Sequence, residues 1–287
     1  YNALKLLLKF KKSESNVMQY ALVYGIRSQA KKGFEGLCEL CNSKVIAKCG
    51  DTVIHHWSHY KRKDCDNWWE TETIWHREWK NRFPKDYREV ILKNYSTMEI
   101  HRADIYTPTG VTVEFQHSCI SNDERLSREL FYNNLIWVVD GSRRTNEYKR
   151  FQKKSHYLSS YYKDKKDIFQ VSNIEELFPS DWINSSVPVI IDFKSITDSI
   201  EFASTKGFLF CLFPQRVGLT AIVAKVSLKS FIKSIVEGEW GANCSKFIDE
   251  LKQDDIETKN RDEVIRLQIQ LNETKTARIP NKRHWRF

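Results

Sequence analysis

The chain has 287 residues, of which 41% are hydrophobic and 13% aromatic, enough apolar material for one large or two modest packed domains, and this excludes general disorder. A net charge of +9 favours a polyanionic partner, nucleic acid before an anionic membrane surface. No apolar run reaches the length of a membrane span and no signal peptide is visible at the start, so the expected setting is the cytoplasm.

In chain order, residues 3–26 read as one or two strands, from a loose alternation of Leu, Tyr and Val. Residues 34–66 read as short strands and turns rich in Cys and His, and residues 67–83 as a helix. Three strands are expected at 89–93, 98–106 and 111–117. A helix over 122–134 follows, its start marked by Ser121 and Glu124 in capping-box spacing. A buried strand at 135–140 completes a compact α/β unit with its strands central. Residues 141–186 are polar, and the run YYKDKKD at 161–167 reads as a solvated loop. Strands at 187–193, 208–214 and 218–227, helices at 228–238 and 261–275, and the basic tail RIPNKRHWRF complete the chain. The expected division is an N-terminal strand and ribbon region (1–66), a core (67–142) and an α+β C-terminal extension (143–287). Within the last, residues 180–287 offer a surface for a second copy or a partner protein.

Seven cysteines, two of them in a CxxC at Cys38 and Cys41, fit a reducing compartment and a metal site better than a disulfide framework. His55, His56, His59 and Cys65 follow within reach of a small ribbon. Two thiolates and two further N or S donors satisfy tetrahedral Zn²⁺. The best set is Cys38, Cys41, His59 and Cys65, with His56 the rival for one place. A zinc there is structural, replacing the core that so short a segment lacks.

A second constellation is acidic. At 100° per residue Trp68, Trp75 and Trp79 form one helical stripe, with Glu72 inside it. A carboxylate on a buried face calls for a cation or for hydrogen-bond donors. His76 and Lys80 follow at four-residue steps. Further on, Pro108, Thr109 and Gly110 suit a three-residue hairpin loop ending in a left-handed glycine. That loop sets Thr107 opposite Val111, hence Asp104 opposite Glu114 and Arg102 opposite Gln116. Opposed like charges destabilise a hairpin unless a divalent cation sits between them, and Mg²⁺ suits a site of one or two carboxylates. Trp57 and Trp69 are candidates for stacking on unpaired bases.

These features resemble the PD-(D/E)xK nuclease core and, more closely, the CoiA-like competence proteins. The segments that carry the resemblance are HWSH at 56–59 after the CxxC, ETIWH at 72–76, RAD at 102–104 and EFQHSCIS at 114–121. The resemblance covers residues 34–140 and implies a restriction-endonuclease-like core, a central mixed sheet flanked by helices, with a zinc-ribbon-like insertion before it. It also implies a DNA nuclease using Mg²⁺ or Mn²⁺, acting on incoming or foreign DNA in transformation and recombination or in defence against phage. In that reading Asp104 and Glu114 hold the metal with the carbonyl of Phe115. Glu72 holds a second metal or its waters, and Gln116 orients the attacking water. Arg102, His76 and Lys80 serve the substrate. Gln116 stands where the general core has Lys. That departure keeps open a DNA-binding module that does not cut. A restriction-type enzyme acting on modified or structured DNA, and an RNA nuclease, are further alternatives.

Overall fold

The computed structural model describes residues 17–51, 54–61, 65–68, 70–193 and 207–277; the strand reading over 3–16, Trp69 and the basic tail lie outside them. The chain builds two sheets. The first holds β1 (Val17–Met18), β2 (Tyr20–Val23), β3 (Ile26–Gln29), β4 (Glu35–Leu37), β5 (Lys44–Lys48) and β6 (His56–His59), all antiparallel, in the order β1-β6-β5-β4-β2-β3. Its small core is Met18, Ala21, Val45 and Trp57, with Cys38, Cys41 and Cys65 packed alongside. Trp57 is fully buried and donates its indole N–H to the Ser28 carbonyl at 2.9 Å, so it is no platform for a base.

The second sheet has eight strands: β7 (Arg88–Lys93), β8 (Ile100–Tyr106), β9 (Thr112–Gln116), β10 (Leu135–Asp140), β11 (Ile168–Val171), β12 (Val189–Asp192), β13 (Phe208–Val217) and β14 (Thr220–Ser227). Their order is β11-β14-β13-β12-β10-β9-β8-β7. The central strands β9, β10 and β12 run parallel, and every residue in them is buried, as expected of a parallel sheet covered on both faces. On one face lie α1 (Ile74–Asn81), α5 (Leu228–Val236) and the first half of α6 (Glu239–Ala277), through Trp75, Trp79, Phe231, Ile235 and Leu251. On the other lie α2 (Asn122–Phe131), α3 (Thr145–Lys154) and α4 (Ile174–Leu177), through Phe131, Tyr148, Phe151, Ile174 and Leu177.

Three expectations change. The C-terminal region is not a separate extension: β12 pairs with β10 in register Trp137–Val189 to Asp140–Asp192, so the boundary at 142 falls inside one continuous sheet. The helix expected over 67–83 shrinks to α1, because Thr73 caps it by accepting the His76 N–H. Trp68 lies outside that helix and stacks on His101, with ring centroids 3.3 Å apart. The polar stretch 141–186 is folded, and Lys163 and Lys165 of the basic run pair with Asp254 and Glu250 on α6. The helix expected at 261–275 is the outer part of α6.

Candidate functional site

The cysteine and histidine cluster sits at one side of the first sheet. Cys38 and Cys41 flank a tight turn closed by the Asn42 N–H on the Cys38 carbonyl, His59 ends β6, and Cys65 follows shortly after. Their ligand atoms all lie within 4.8 Å of one another. Cys38 Sγ is 3.9 Å from Cys65 Sγ, and His59 Nε2 is 3.3 Å from Cys41 Sγ and 3.7 Å from Cys65 Sγ. Tetrahedral Zn–S bonds of about 2.3 Å and Zn–N bonds of about 2.0–2.1 Å imply ligand–ligand edges of about 3.5–3.8 Å. The set thus has the donor chemistry and the size for zinc. The rival His56 is turned elsewhere, its Nδ1 on the Ile54 carbonyl at 2.7 Å. The Cys38 thiol is lowered to about 3 by its hydrogen bond with Cys65 and, against the opposing effect of burial, by the Arg102 guanidinium. Arg102 Nη2 lies 3.7 Å from Cys38 Sγ, so this residue leans on the cluster.

The acidic site is made by a hairpin that opens. The loop turns at Pro108–Gly110, Gly110 has φ +81°, and Thr107 N–H donates to Val111 O at 2.9 Å. Ile105 pairs with Val113 and Tyr106 with Thr112, and there the β8–β9 ladder ends. One step further, carboxylates replace the strand partners: Asp104 N–H donates to Glu114 Oε1 at 3.1 Å and Phe115 N–H to Asp104 Oδ2 at 3.0 Å. The two acids therefore lie side by side where the strands part. Burial and the neighbouring Asp104 charge push Glu114 up to about 8, although Arg128, 3.3 Å away, pulls the other way. Burial would raise Asp104 too, but His76, with Lys80 and the Phe115 N–H, outweighs it and holds Asp104 below its ordinary value. His76 donates from Nε2 to Asp104 Oδ2 at 2.9 Å, and this contact raises the imidazole against its own burial.

The cavity around this pair has a volume of about 60 Å³, room for an ion with a few waters, since about 10–15 Å³ of such space holds one. Six carboxylates line it (Asp66, Glu70, Glu72, Glu89, Asp104 and Glu114) against three Lys or Arg side chains (Lys80, Arg102 and Arg128). His76 on Asp104, Arg77 on Glu72 and the proton held by Glu114 reduce that acidic excess, so the place for a cation is narrowed to Asp104 and Glu114 themselves.

The sequence-chosen residues separate here. Asp104, Glu114, Glu72, His76, Lys80 and Arg102 all line the cavity. Glu72, however, precedes α1 and does not lie within the helix. Arg77 Nε and Nη2 each hold it at 2.6 Å, and Lys80 Nζ at 2.9 Å, so its carboxylate is fully engaged by cations. Burial opposes but does not cancel that effect, and Glu72 ionises well below the ordinary carboxylate range. Gln116 is outside the cavity: its amide donates to the carbonyl and hydroxyl of Ser118, both at 3.3 Å. Arg102 does not face Gln116 across a ladder, because the ladder has already ended.

Four lining residues escaped the sequence reading. Glu89 binds Lys80 at 2.8 Å and accepts the backbone N–H of Gln19 and Tyr20, tying the first sheet to the second. Asp66 accepts from His101 Nδ1 and the Arg102 N–H, both at 2.9 Å. Glu70 accepts the N–H groups of His117 and Ser118. Arg128 bonds Glu114, and its pairing with Glu124 at i, i+4 was the one signal readable in sequence. The others meet partners far away in the chain.

The protein is thus a two-sheet α/β protein that joins a Cys₃His cluster able to hold a metal ion to a carboxylate-lined cavity. Residues 27–67 match the family model described as competence protein CoiA, N-terminal domain, so the chain carries a CoiA-type N-terminal domain. The match takes in the whole Cys₃His cluster and ends before α1 and the acidic hairpin. No match was found among curated proteins or among solved structures.

Proposed function

We propose that the chain is a metal-dependent phosphodiesterase of the restriction-endonuclease-like type, that it cuts DNA, and that Asp104 and Glu114 hold its Mg²⁺ or Mn²⁺. The observation that carries this reading is the opened hairpin, which sets these carboxylates together in a cavity where acids outnumber Lys and Arg six to three. The mixed sheet with helices on both faces is compatible with such a core. A bound divalent ion would lower the pKa of water and offset charge on the phosphate in flight.

The chain's own residues position that chemistry. His76 and the Phe115 N–H fix the orientation of Asp104, while Arg128 and the Asp104 N–H fix Glu114. Lys80 is the lysine that lines the cavity among the described residues, 3.9 Å from Asp104 Oδ1, and it comes from a helix where the general core draws its lysine from the strand. Glu72 and Glu89 hold Lys80 in place, which makes Glu72 a positioning residue rather than a ligand of a second metal. Gln116 reaches the cavity only by leaving Ser118, so it ranks behind Lys80 for orienting water or phosphate. The Cys₃His cluster holds a structural Zn²⁺ that fixes the first sheet. The CoiA-type domain favours a role with incoming DNA in competence over one in defence. DNA is the partner and the cytoplasm the setting, and no helix among the described residues is long and apolar enough to cross a membrane.

The orientation of Gln116 favours one other reading, a domain that binds DNA without cutting. Incubation with plasmid, linear duplex, single-stranded DNA and RNA, in Mg²⁺, Mn²⁺ or EDTA, separates the two. Metal-dependent cutting of DNA supports the nuclease. Retention of DNA in a gel shift with every substrate intact supports the binding domain.

A further inference from the structure

We propose that the groove between β7, β8 and the end of α2 binds an unpaired nucleobase together with its phosphate. The proposal rests on the nucleic-acid reading above and deepens it. The groove has a volume of about 510 Å³, within the range of roughly 300–1,000 Å³ usual for small-ligand clefts. The rings of Tyr95, Tyr106 and Phe131 line it, with Lys93 at the rim. Its remaining polar groups are neutral amides and hydroxyls, Asn94 and Asn133 among them, and no carboxylate lines it. That lining is the chemical inverse of the acidic cavity. Flat apolar faces, neutral hydrogen-bonding edges and one ammonium suit a ligand that is planar, hydrogen-bonding and anionic. A nucleotide meets all three requirements.

Two further observations support this. Tyr95 is 81% exposed, yet its turn is built, since Asn94 Oδ1 accepts the N–H of Ser96 at 2.9 Å and of Thr97 at 3.3 Å. An exposed ring on a fixed turn loses little freedom when a base stacks on it. Lys93 Nζ stands 5.2 Å from the centre of that ring, close enough to meet the phosphate of a stacked nucleotide. The groove also adjoins the acidic cavity. Phe131 packs edge-on against Trp68, with centroids 5.3 Å apart, and Trp68 is itself a lining residue of the cavity. A strand crossing the cavity can therefore set a neighbouring base in the groove. The base must be unpaired, because a duplex hides the faces of its bases in its own stack.

Fluorescence anisotropy with labelled oligonucleotides, without added divalent metal, tests this. The probes are a single-stranded DNA, an abasic strand of the same length and phosphate count, the matching duplex and the matching RNA. The expected result is tighter binding of base-bearing single strands than of the abasic strand. Tyr95→Ala and Tyr106→Ala should each weaken the base-bearing strands by about fivefold or more and leave the abasic strand unchanged. Tyr95→Phe and Tyr106→Phe should restore binding, since the ring is kept. The RNA arm tells whether the sugar matters. Equal affinity for abasic and intact single strands, no binding of either, or wild-type behaviour of both alanine variants overturns the proposal. Base preference in a protein that cuts nothing keeps the groove and sinks the nuclease. Cutting without base preference does the reverse.

Discussion

Glu114 offers a quantitative test, because metal binding there must release a proton. Burial and the adjacent Asp104 raise this carboxyl from its ordinary 4.5 to about 8 in the metal-free protein. Between those values the folded chain holds a proton that the unfolded chain has lost, so stability without metal falls as pH rises through that window. A divalent ion binding to Asp104 and Glu114 would displace the proton. With a pKa of about 8, the pair carries about 0.9 proton at pH 7 and about 0.1 at pH 9. Mg²⁺ affinity should therefore rise about tenfold from pH 7 to pH 9, a gain of about 1.4 kcal/mol. Isothermal titration in two buffers of different ionisation enthalpy reads the proton count directly. Release of close to one proton per ion at pH 7, fading by pH 9, is the expected outcome. Binding without proton release, and with the same affinity at both pH values, would refute the assignment of the ion to this pair.

Other outcomes follow from the same contacts. Protein purified without added metal should carry about one zinc per chain, lost in His59→Ala and kept in His56→Ala, as elemental analysis will show; the reverse would move the ligand to His56. Lys80→Met should destabilise the fold by about 3–5 kcal/mol in denaturant titration, because Glu72 and Glu89 are left buried without their shared cation. An unchanged midpoint would mean that these acids find other partners. Glu72→Gln should impair cutting less than loss of Asp104 while leaving Mg²⁺ affinity near wild type, since its carboxylate serves Lys80; a large drop in metal affinity would restore it as a ligand.

Parts of this architecture were legible in the sequence where a local feature imposed long consequences. Pro108-Thr109-Gly110 sets the hairpin register, and the register puts Asp104 beside Glu114. The CxxC and HWSH spacing marks the metal cluster, because a tetrahedral ion demands a compact donor set. Other features have no local cause. The tryptophan periodicity suggested one long helix, but Trp75 and Trp79 are placed by a distant acid, both indoles donating to Asp192 Oδ2 at 2.9 Å, and Trp68 by His101. Nothing near residues 187–227 announces that their strands join β10, since that pairing is settled by two apolar faces seeking cover. Alternation along β9 put Gln116 on the face of Glu114, but it cannot show that the strands separate after Ile105 and Val113 and leave the amide to Ser118.

The most direct test of the nuclease assignment is plasmid nicking by wild type, Asp104→Ala and Glu114→Ala in Mg²⁺ and in Mn²⁺, with a gel shift on the same samples. Each substitution removes a proposed metal ligand, and loss of one preorganised electrostatic partner commonly costs on the order of 100- to 1,000-fold in rate. Wild type should nick, both variants should be slower by at least about 100-fold, and both should still bind DNA, since an anionic group near the phosphates has gone. Wild-type nicking by Asp104→Ala would place the chemistry outside this cavity.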